Sequence, residues 1–377
     1  MMLIIISQYD VKGNDCMKKI LTALLIFFVF VYALPVLTVG AYGGKEQNPA
    51  YINSPKDNTD YKSALDVWND TVRDLTERAA QSVSAGEQSS ETSGYDAANY
   101  ISVLIDGQPV QMTVQDYLVG VVAAEMPAAF PMEALKAQAV AARSYMLHKI
   151  EMGGASHSGG AQLCDDYTHC TAFFDVAADG KKLWGDDADY YAERIYTAVC
   201  DTDGIVAVSN GQTIAAVFHS ASSEMTEDAE NVWGVKYSYL TSVSSVGGSA
   251  SPNYYGTVAV KQTDFKSSVL AQFPEASFDA DPSRWIGNIK RSQSGSVLEM
   301  DIGGVTVKGT QVRSMFSLNS ANFSVEIKNT EVIFSTVGTG HGVGMSQYGA
   351  REMALNGAGF DEIICHYYSG VSLMVKN

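Results

Sequence analysis

The stretch that sets the fold reads VQDYLVGVVAAE (Val114–Glu125), then MPAAF (Met126–Phe130), then PMEALKAQAVAARSY (Pro131–Tyr145). Its two flanks are dense in Ala, Leu, Val and Met at helical spacing, and the second runs on to Ile150. Pro127 and Pro131 break the link between them, because proline removes a helical donor, and Pro131 stands where a first turn tolerates it. Two helices with a short connection are therefore expected. Upstream, Ile101, Val103 and Ile105 alternate, meet Asp106-Gly107 and continue into Val110 and Met112, the pattern of two strands across a tight turn. Beyond Asp201 the texture changes to Val, Thr, Ser and Gly, with strands expected at 213–218, 297–302, 306–308 and 332–335 and a last helix over 346–356. No internal repeat is visible. The class is α+β, one mixed α/β domain over 97–377 with a strand-rich flanking subdomain.

A chain of 377 residues with 46% hydrophobic residues has ample material for a core. Its formal charge of −17 excludes a nucleic-acid partner, since phosphate recognition needs a basic stripe and none is present. A neutral or sugar-like substrate fits better. At the other end of the chain, Lys18 and Lys19 precede an apolar run from Ile20 to Val39, about the ~20 residues that cross a bilayer. Residues 17–40 are read as a retained single-pass transmembrane anchor in preference to a cleaved signal, with the lysines inside and everything after Gly40 outside the cytoplasm. Residues 1–16, with Cys16, read as a cytoplasmic extension or a misassigned start. Residues 41–96 read as a linker: a Gly/Asn/Pro/Ser tether, one short helix with Tyr61, Leu65, Trp68, Val72 and Leu75 on one face, and a second polar stretch.

Three groups of residues have chemical potential. Glu125 ends an apolar helix between Ala124 and Met126-Pro127; desolvation favours its neutral form and suits it to general acid work, the plainer alternative being a solvated helix end. Lys136, Gln138 and Arg143 follow on the Ala-rich helix, either facing a ligand or lying on an ordinary surface. Cys164-Asp165-Asp166-Tyr167-Thr168-His169-Cys170 pairs two thiols with a histidine, and His157 stands upstream as an additional or alternative ligand. By spacing alone an exported protein favours a disulfide here, with a tetrahedral zinc site as the second reading. Cys200 and Cys365 read as buried thiols, a bridge between them being the alternative. The third group is Gly338-Thr339-Gly340-His341-Gly342-Val343-Gly344-Met345-Ser346-Gln347. It lacks the Lys-Ser/Thr of a phosphate loop, and no G-x-S-x-G elbow occurs, so His341, Ser346 and Gln347 either line a sugar cleft or serve as turn and cap residues.

The blocks from Val114 to Pro127, Met132 to Tyr145, Gly340 to Ala350 and His366-Tyr367-Tyr368-Ser369-Gly370, in that order, closely resemble the stage II sporulation protein D family across about residues 99–375. The resemblance implies a lytic transglycosylase held in the mother-cell membrane during engulfment, acting on glycan strands already stripped of stem peptides. It places the catalytic acid on Glu125 and conserved family residues on Lys136, Gln138 and Arg143. It also implies Zn2+ at Cys164, His169 and Cys170, as in some clostridial members, which reverses the preference for a disulfide. A departure follows His219-Ser220: relatives often have Gly-Gly where this chain has Ser222-Ser223-Glu224-Met225.

One acid without an assured partner bears on the reaction, because glycoside hydrolysis normally uses two carboxylates. A lytic transglycosylase needs only one, since the sugar's own primary hydroxyl closes an anhydro ring on the MurNAc side of the MurNAc–GlcNAc bond. Lys136, Gln138, Arg143, His341, Ser346 and Gln347 are the expected glycan-holding residues, with a structural role as the equal alternative for Arg143. Expected partners are peptidoglycan strands, the membrane through the N-terminal helix, and an amidase or endopeptidase in an engulfment complex. The alternative function is a non-catalytic glycan-binding module that stimulates an amidase.

Overall fold

The computed structural model describes residues 94–153 and 157–376. The extension, the anchor and nearly all of the linker lie outside them. Among the described residues no helix is long and apolar enough to cross a membrane. In chain order the elements are α1 (Tyr95–Ala98), β1 (Tyr100–Ile105), β2 (Gln108–Thr113), α2 (Val114–Glu125), α3 (Met132–Glu151), β3 (Leu163–Cys164), α4 (Val176–Trp184), α5 (Ala188–Cys200), β4 (Ile205–Ser209), β5 (Gln212–Thr213), β6 (Phe218–His219) and α6 (Ala229–Trp233). There follow β7 (Tyr255–Lys261), α7 (Gln262–Gln272), β8 (Ile286–Arg291), β9 (Val297–Ile302), β10 (Val305–Lys308), α8 (Gly309–Met315), β11 (Phe323–Lys328), β12 (Glu331–Val337), β13 (Met345–Ser346), α9 (Gln347–Leu355), α10 (Phe360–Tyr367) and β14 (Ser372–Val375).

The opening hairpin forms as its sequence requires. Asp106 and Gly107 carry φ of 49° and 75°, the two positive values that let a two-residue turn follow the strand twist. β1 then pairs antiparallel with β2 and parallel with β3. α2 starts where the Thr113 hydroxyl accepts the Asp116 amide at 3.0 Å, and it stops at Glu125 because Met126 precedes proline and is extended (φ −124°, ψ 133°). α3 is the axle of the domain. Ala134, Leu135, Ala137, Ala139, Val140, Ala141 and Ala142 are all buried, so α2, α5, α9, α10 and β4 approach it from several sides over a surface of small side chains.

Residues 255–337 form a strand-rich lobe between β6 and β13. Two three-stranded sheets, β10-β9-β8 and β11-β12-β7, enclose a separate core of Phe265, Trp285, Phe316, Phe323 and Phe334, with the Phe265 and Phe316 rings stacked at 5.2 Å. Buried Glu227 ties this lobe to the main body: its Oε2 accepts from the hydroxyls of Ser292 (2.6 Å) and Ser294, and its Oε1 accepts from Asn231 Nδ2 at 2.8 Å.

Four expectations need correction. The last helix is α10, which follows the one expected at 346–356. Only the ends of 213–218 pair as strand, in β5 and β6. Helices α4 and α5, and α7 and α8 within the lobe, were not anticipated; α7 and α8 lie in Ser/Thr/Gly-bearing segments whose composition reads as strand. Tyr95 and Asp96, assigned to the linker on composition, belong to the compact fold, with Asp96 buried.

Candidate active site

A cleft of about 650 Å³ opens between the main body and the lobe, lined by Glu125 and Tyr145 from α2 and α3, the segment Tyr167–Ala172, Val217–His219, Trp233, Arg313, Gly340 and His341. A larger groove of about 1270 Å³ runs beside β2, α4 and α5; it is rimmed by aspartates and holds none of the expected site residues.

Glu125 is positioned by the end of its helix. The backbone that follows is clamped by Arg194, whose Nε and Nη2 donate to the carbonyls of Ala128 (3.0 Å) and Phe130 (2.6 Å). Phe130 in turn meets the ring of Tyr348 edge-on at 5.1 Å, joining the α2–α3 link to α9. From α9, Gln347 Nε2 reaches Glu125 Oε2 at 3.4 Å and Gln138 Oε1 at 3.5 Å. Both glutamines are buried, and Gln138 Nε2 has no partner among the described residues, an orphaned donor directly behind the acid. Burial pushes the Glu125 carboxyl above its ordinary value, partly offset by Gln347 and the Ala172 amide. Its place at a helix C-terminus acts in the same sense, since the macrodipole opposes negative charge there.

The facing wall is made of imidazoles. His219 Nδ1 bonds the Val343 carbonyl at 3.1 Å, which requires a proton there, so Nε2 accepts from the Ser222 hydroxyl at 2.6 Å. Burial, the neighbouring His341 and Arg313 bring His219 down to about 3; burial and Arg313 bring His341 down to about 4. Both rings are neutral near pH 7 and cannot act as proton stores. Gly340 permits this packing: at its φ of 108°, a Cβ would lie 2.8 Å from that of His219. Beyond His341 stands Trp233, 5.2 Å away between ring centres and 45% exposed, and Tyr167 is also open to solvent.

The expected glycan-holding set divides. Glu125, Gln138, Gln347 and His341 come together. Arg143 does not reach the cleft: it is sealed under α3, its Nε 2.9 Å from the Asp96 carboxylate and its Nη1 3.1 Å from the Ile205 carbonyl. Lys136 turns toward Asp201 (2.9 Å) and Glu133 (3.3 Å), away from the cleft lining. Ser346 is the buried N-cap of α9, its hydroxyl accepting the Gly349 amide at 3.2 Å. Along α3, Gln138 and Arg143 are fully buried while Lys136 is partly exposed, so the three share no face toward a ligand. Sequence reading missed Trp233 and Arg313, which reach the cleft from separate segments with no local motif to mark them, and named His219 only as the residue before the departure at Ser222–Met225.

Cys164 and Cys170 are not bonded to each other. With His157 and His169 their ligand atoms lie within 4.8 Å of one another; Cys170 Sγ is 3.4 Å from His169 Nδ1 and 3.6 Å from His157 Nε2, and Cys164 Sγ is 3.6 Å from His169 Nδ1. Lys149 donates to Cys170 Sγ at 3.4 Å and to the His169 carbonyl. Two thiols and two imidazoles converging in this way are a donor set that suits a tetrahedral metal. His157, one of two readings by sequence, is part of the cluster. Of the remaining thiols, Cys365 is exposed and Cys200 only partly covered, against the buried positions expected for them.

A family described as "Stage II sporulation protein" matches residues 108–208, which carry both α2 and α3 and the Cys/His cluster. Stage II sporulation protein D of Bacillus subtilis (strain 168) is 36% identical over 261 residues, 69% of this chain and 74% of the relative. The protein of that name in Bacillus amyloliquefaciens gives the same identity and coverage. This chain belongs to the stage II sporulation protein D family. An "Amidase enhancer" of Bacillus subtilis is also similar, 27% identical over 304 residues, 68% of this chain and 40% of that protein. The alignments to the stage II sporulation protein D relatives, at 261 residues, are longer than the 108–208 segment.

Proposed function

We propose that this sporulation protein is a peptidoglycan lytic transglycosylase with Glu125 as its acid and base. The observation that carries the reading is that Glu125 is the one carboxyl lining the cleft among the described residues, and that its surroundings favour the protonated form. Protonated Glu125 gives its proton to the oxygen of the MurNAc–GlcNAc bond as that bond breaks. The resulting carboxylate then takes the proton of the MurNAc primary hydroxyl as its oxygen bonds to C1, which returns Glu125 to its starting state and closes the anhydro ring. The attacking group belongs to the same sugar, so its effective concentration replaces a second protein carboxylate. Gln347 and Gln138 hold the acid in place, and the exposed rings of Trp233 and Tyr167 offer apolar faces to sugar rings. The test is digestion of denuded strands with mass spectrometry of the products. Anhydro-muramyl ends released by the wild type and lost in Glu125→Gln are expected; reducing muramic ends, or undiminished release by the variant, would refute it.

We also propose that His157, Cys164, His169 and Cys170 hold Zn2+. With four protein ligands the ion would have no open position and would supply a cross-link, pinning the segment Tyr167–Ala172 that forms one cleft wall. Metal analysis of protein purified without chelator, beside Cys164→Ser, tests it; a 164–170 disulfide in such a sample would overturn it. The site of action is proposed to be the outer face of the mother-cell membrane during engulfment, with 17–40 as anchor. A second reading, glycan binding that stimulates an amidase, is favoured by the similarity to the amidase enhancer. In that case Glu125→Gln leaves amidase stimulation intact and the purified protein releases no products.

A further inference from the structure

Arg313 is the cation of the cleft. It reaches the cleft wall from α8 of the strand-rich lobe, and its Nε donates to the Leu318 carbonyl at 3.3 Å, which fixes the plane of the guanidinium. Among the described residues neither Nη1 nor Nη2 has a hydrogen-bond partner, and no carboxylate pairs with it. Its neighbours across the cleft, His219 and His341, are neutral, and its charge is one of the causes that disfavour their protonation. Glu125 does not neutralise it: burial, Gln347 and the Ala172 amide are what act on that carboxyl. In a chain of formal charge −17, a half-buried arginine left without an acidic partner is unusual, and its own burial makes the missing counter-charge more costly. Two free guanidinium nitrogens in one plane match the two oxygens of a carboxylate.

We infer that Arg313 receives a carboxylate of the substrate, and that in the glycan this is the lactyl carboxylate of N-acetylmuramic acid. The identification of that group rests on the function proposed above. On a strand stripped of stem peptides the lactyl carboxylate is the ionised group of the repeat, and it sits on the ring whose C1 bond is broken. In an unstripped strand the same carbon is an amide, uncharged and extended by a peptide. Arg313 is thus a specificity-determining residue supplied by the lobe, and it reads whether a peptide has already been removed.

The experiment compares a muramic tetrasaccharide with free lactyl carboxylates and the same oligosaccharide converted to its methylamide. Binding is measured by calorimetry on full-length Glu125→Gln protein, so that no turnover is needed, and kcat/KM is measured on the active enzyme. The acid is expected to bind on the order of ten- to a hundred-fold more tightly than the amide, the range for charge-assisted hydrogen bonds. Adding Arg313→Ala or Arg313→Gln removes the preference, and Arg313→Lys restores part of it; the Gln variant keeps the stem and serves if Ala disturbs the lobe. Equal binding of acid and amide by the parent, or a preference that survives Arg313→Gln, overturns the proposal. A wild type that releases no anhydro ends while retaining the Arg313-dependent preference would sink the transglycosylase reading alone, whereas anhydro release without the preference would sink only this one.

Discussion

A carboxyl group out of water at the C-terminal end of a helix holds its proton more tightly in the folded chain than in the unfolded one, here even against the amide donors that face it. For Glu125 the folded value lies above the ordinary 4.5, so its contribution to stability is full below that value and is lost as pH rises through the raised one. Glu125→Gln escapes the loss. It is expected to raise the unfolding temperature relative to wild type at about pH 7 and to lose that advantage at about pH 4; parallel melting curves at both pH values would contradict this. Cleavage should follow the same proton, falling as pH passes above the raised value, because the acid step needs the neutral form. Gln347 is one of the groups that lower the Glu125 value, so Gln347→Leu should move the alkaline limb of the pH–rate profile upward while reducing kcat. A limb that stays put would show that Gln347 does not hold the acid.

At the scale of elements, the buried Arg143–Asp96 pair fastens α1 to α3, and Arg143 also ties in the end of α5 through the Val199 carbonyl and the start of β4 through the Ile205 carbonyl. Arg143→Ala leaves Asp96 as a buried, unpaired carboxylate and should cost about 3–5 kcal/mol by urea unfolding. Asp96→Asn in the same background should recover part of it. A loss of activity without a loss of stability in Arg143→Ala would instead put Arg143 at the substrate. The hairpin and the α2–α3 pair were legible because Asp106-Gly107, Pro127 and Pro131 are local signals: each fixes backbone geometry within a few residues. The role of Arg143 was not, since a guanidinium on an Ala-rich helix looks the same in sequence whether it faces solvent or an aspartate far away in the chain. The cleft was half legible for the same reason. Glu125, His341 and Gln347 lie in glycine- or proline-marked motifs, but Trp233 and Arg313 arrive on short helices of ordinary composition, placed only by the packing of α6 and α8.

Across the whole molecule, the proposed function would set a protein of charge −17 against a polymer of repeating lactyl carboxylates, so that the two repel at long range and Arg313 is a local exception. Salt screens the former over about 8–10 Å at physiological strength and reaches a half-buried contact less. Raising salt from roughly 20 to 200 mM should therefore increase the rate of association with long denuded strands, while the acid-over-amide preference for short oligosaccharides changes little. A rate that falls with salt would mean that a basic surface outside the described residues dominates capture.

The acid stands at residue 125 and the side chain that holds it at 347, with the opposing wall at 313 and 341. A chain still being made or exported has Glu125 and its helix long before it has Gln347, Arg313 or His341. Until nearly the last thirty residues have emerged, the acid lacks its amide partner and the cleft lacks a far side. A copy that terminates before His341 therefore has the Glu125 helix but neither the amide partner of that carboxyl nor the His341 side of the cleft.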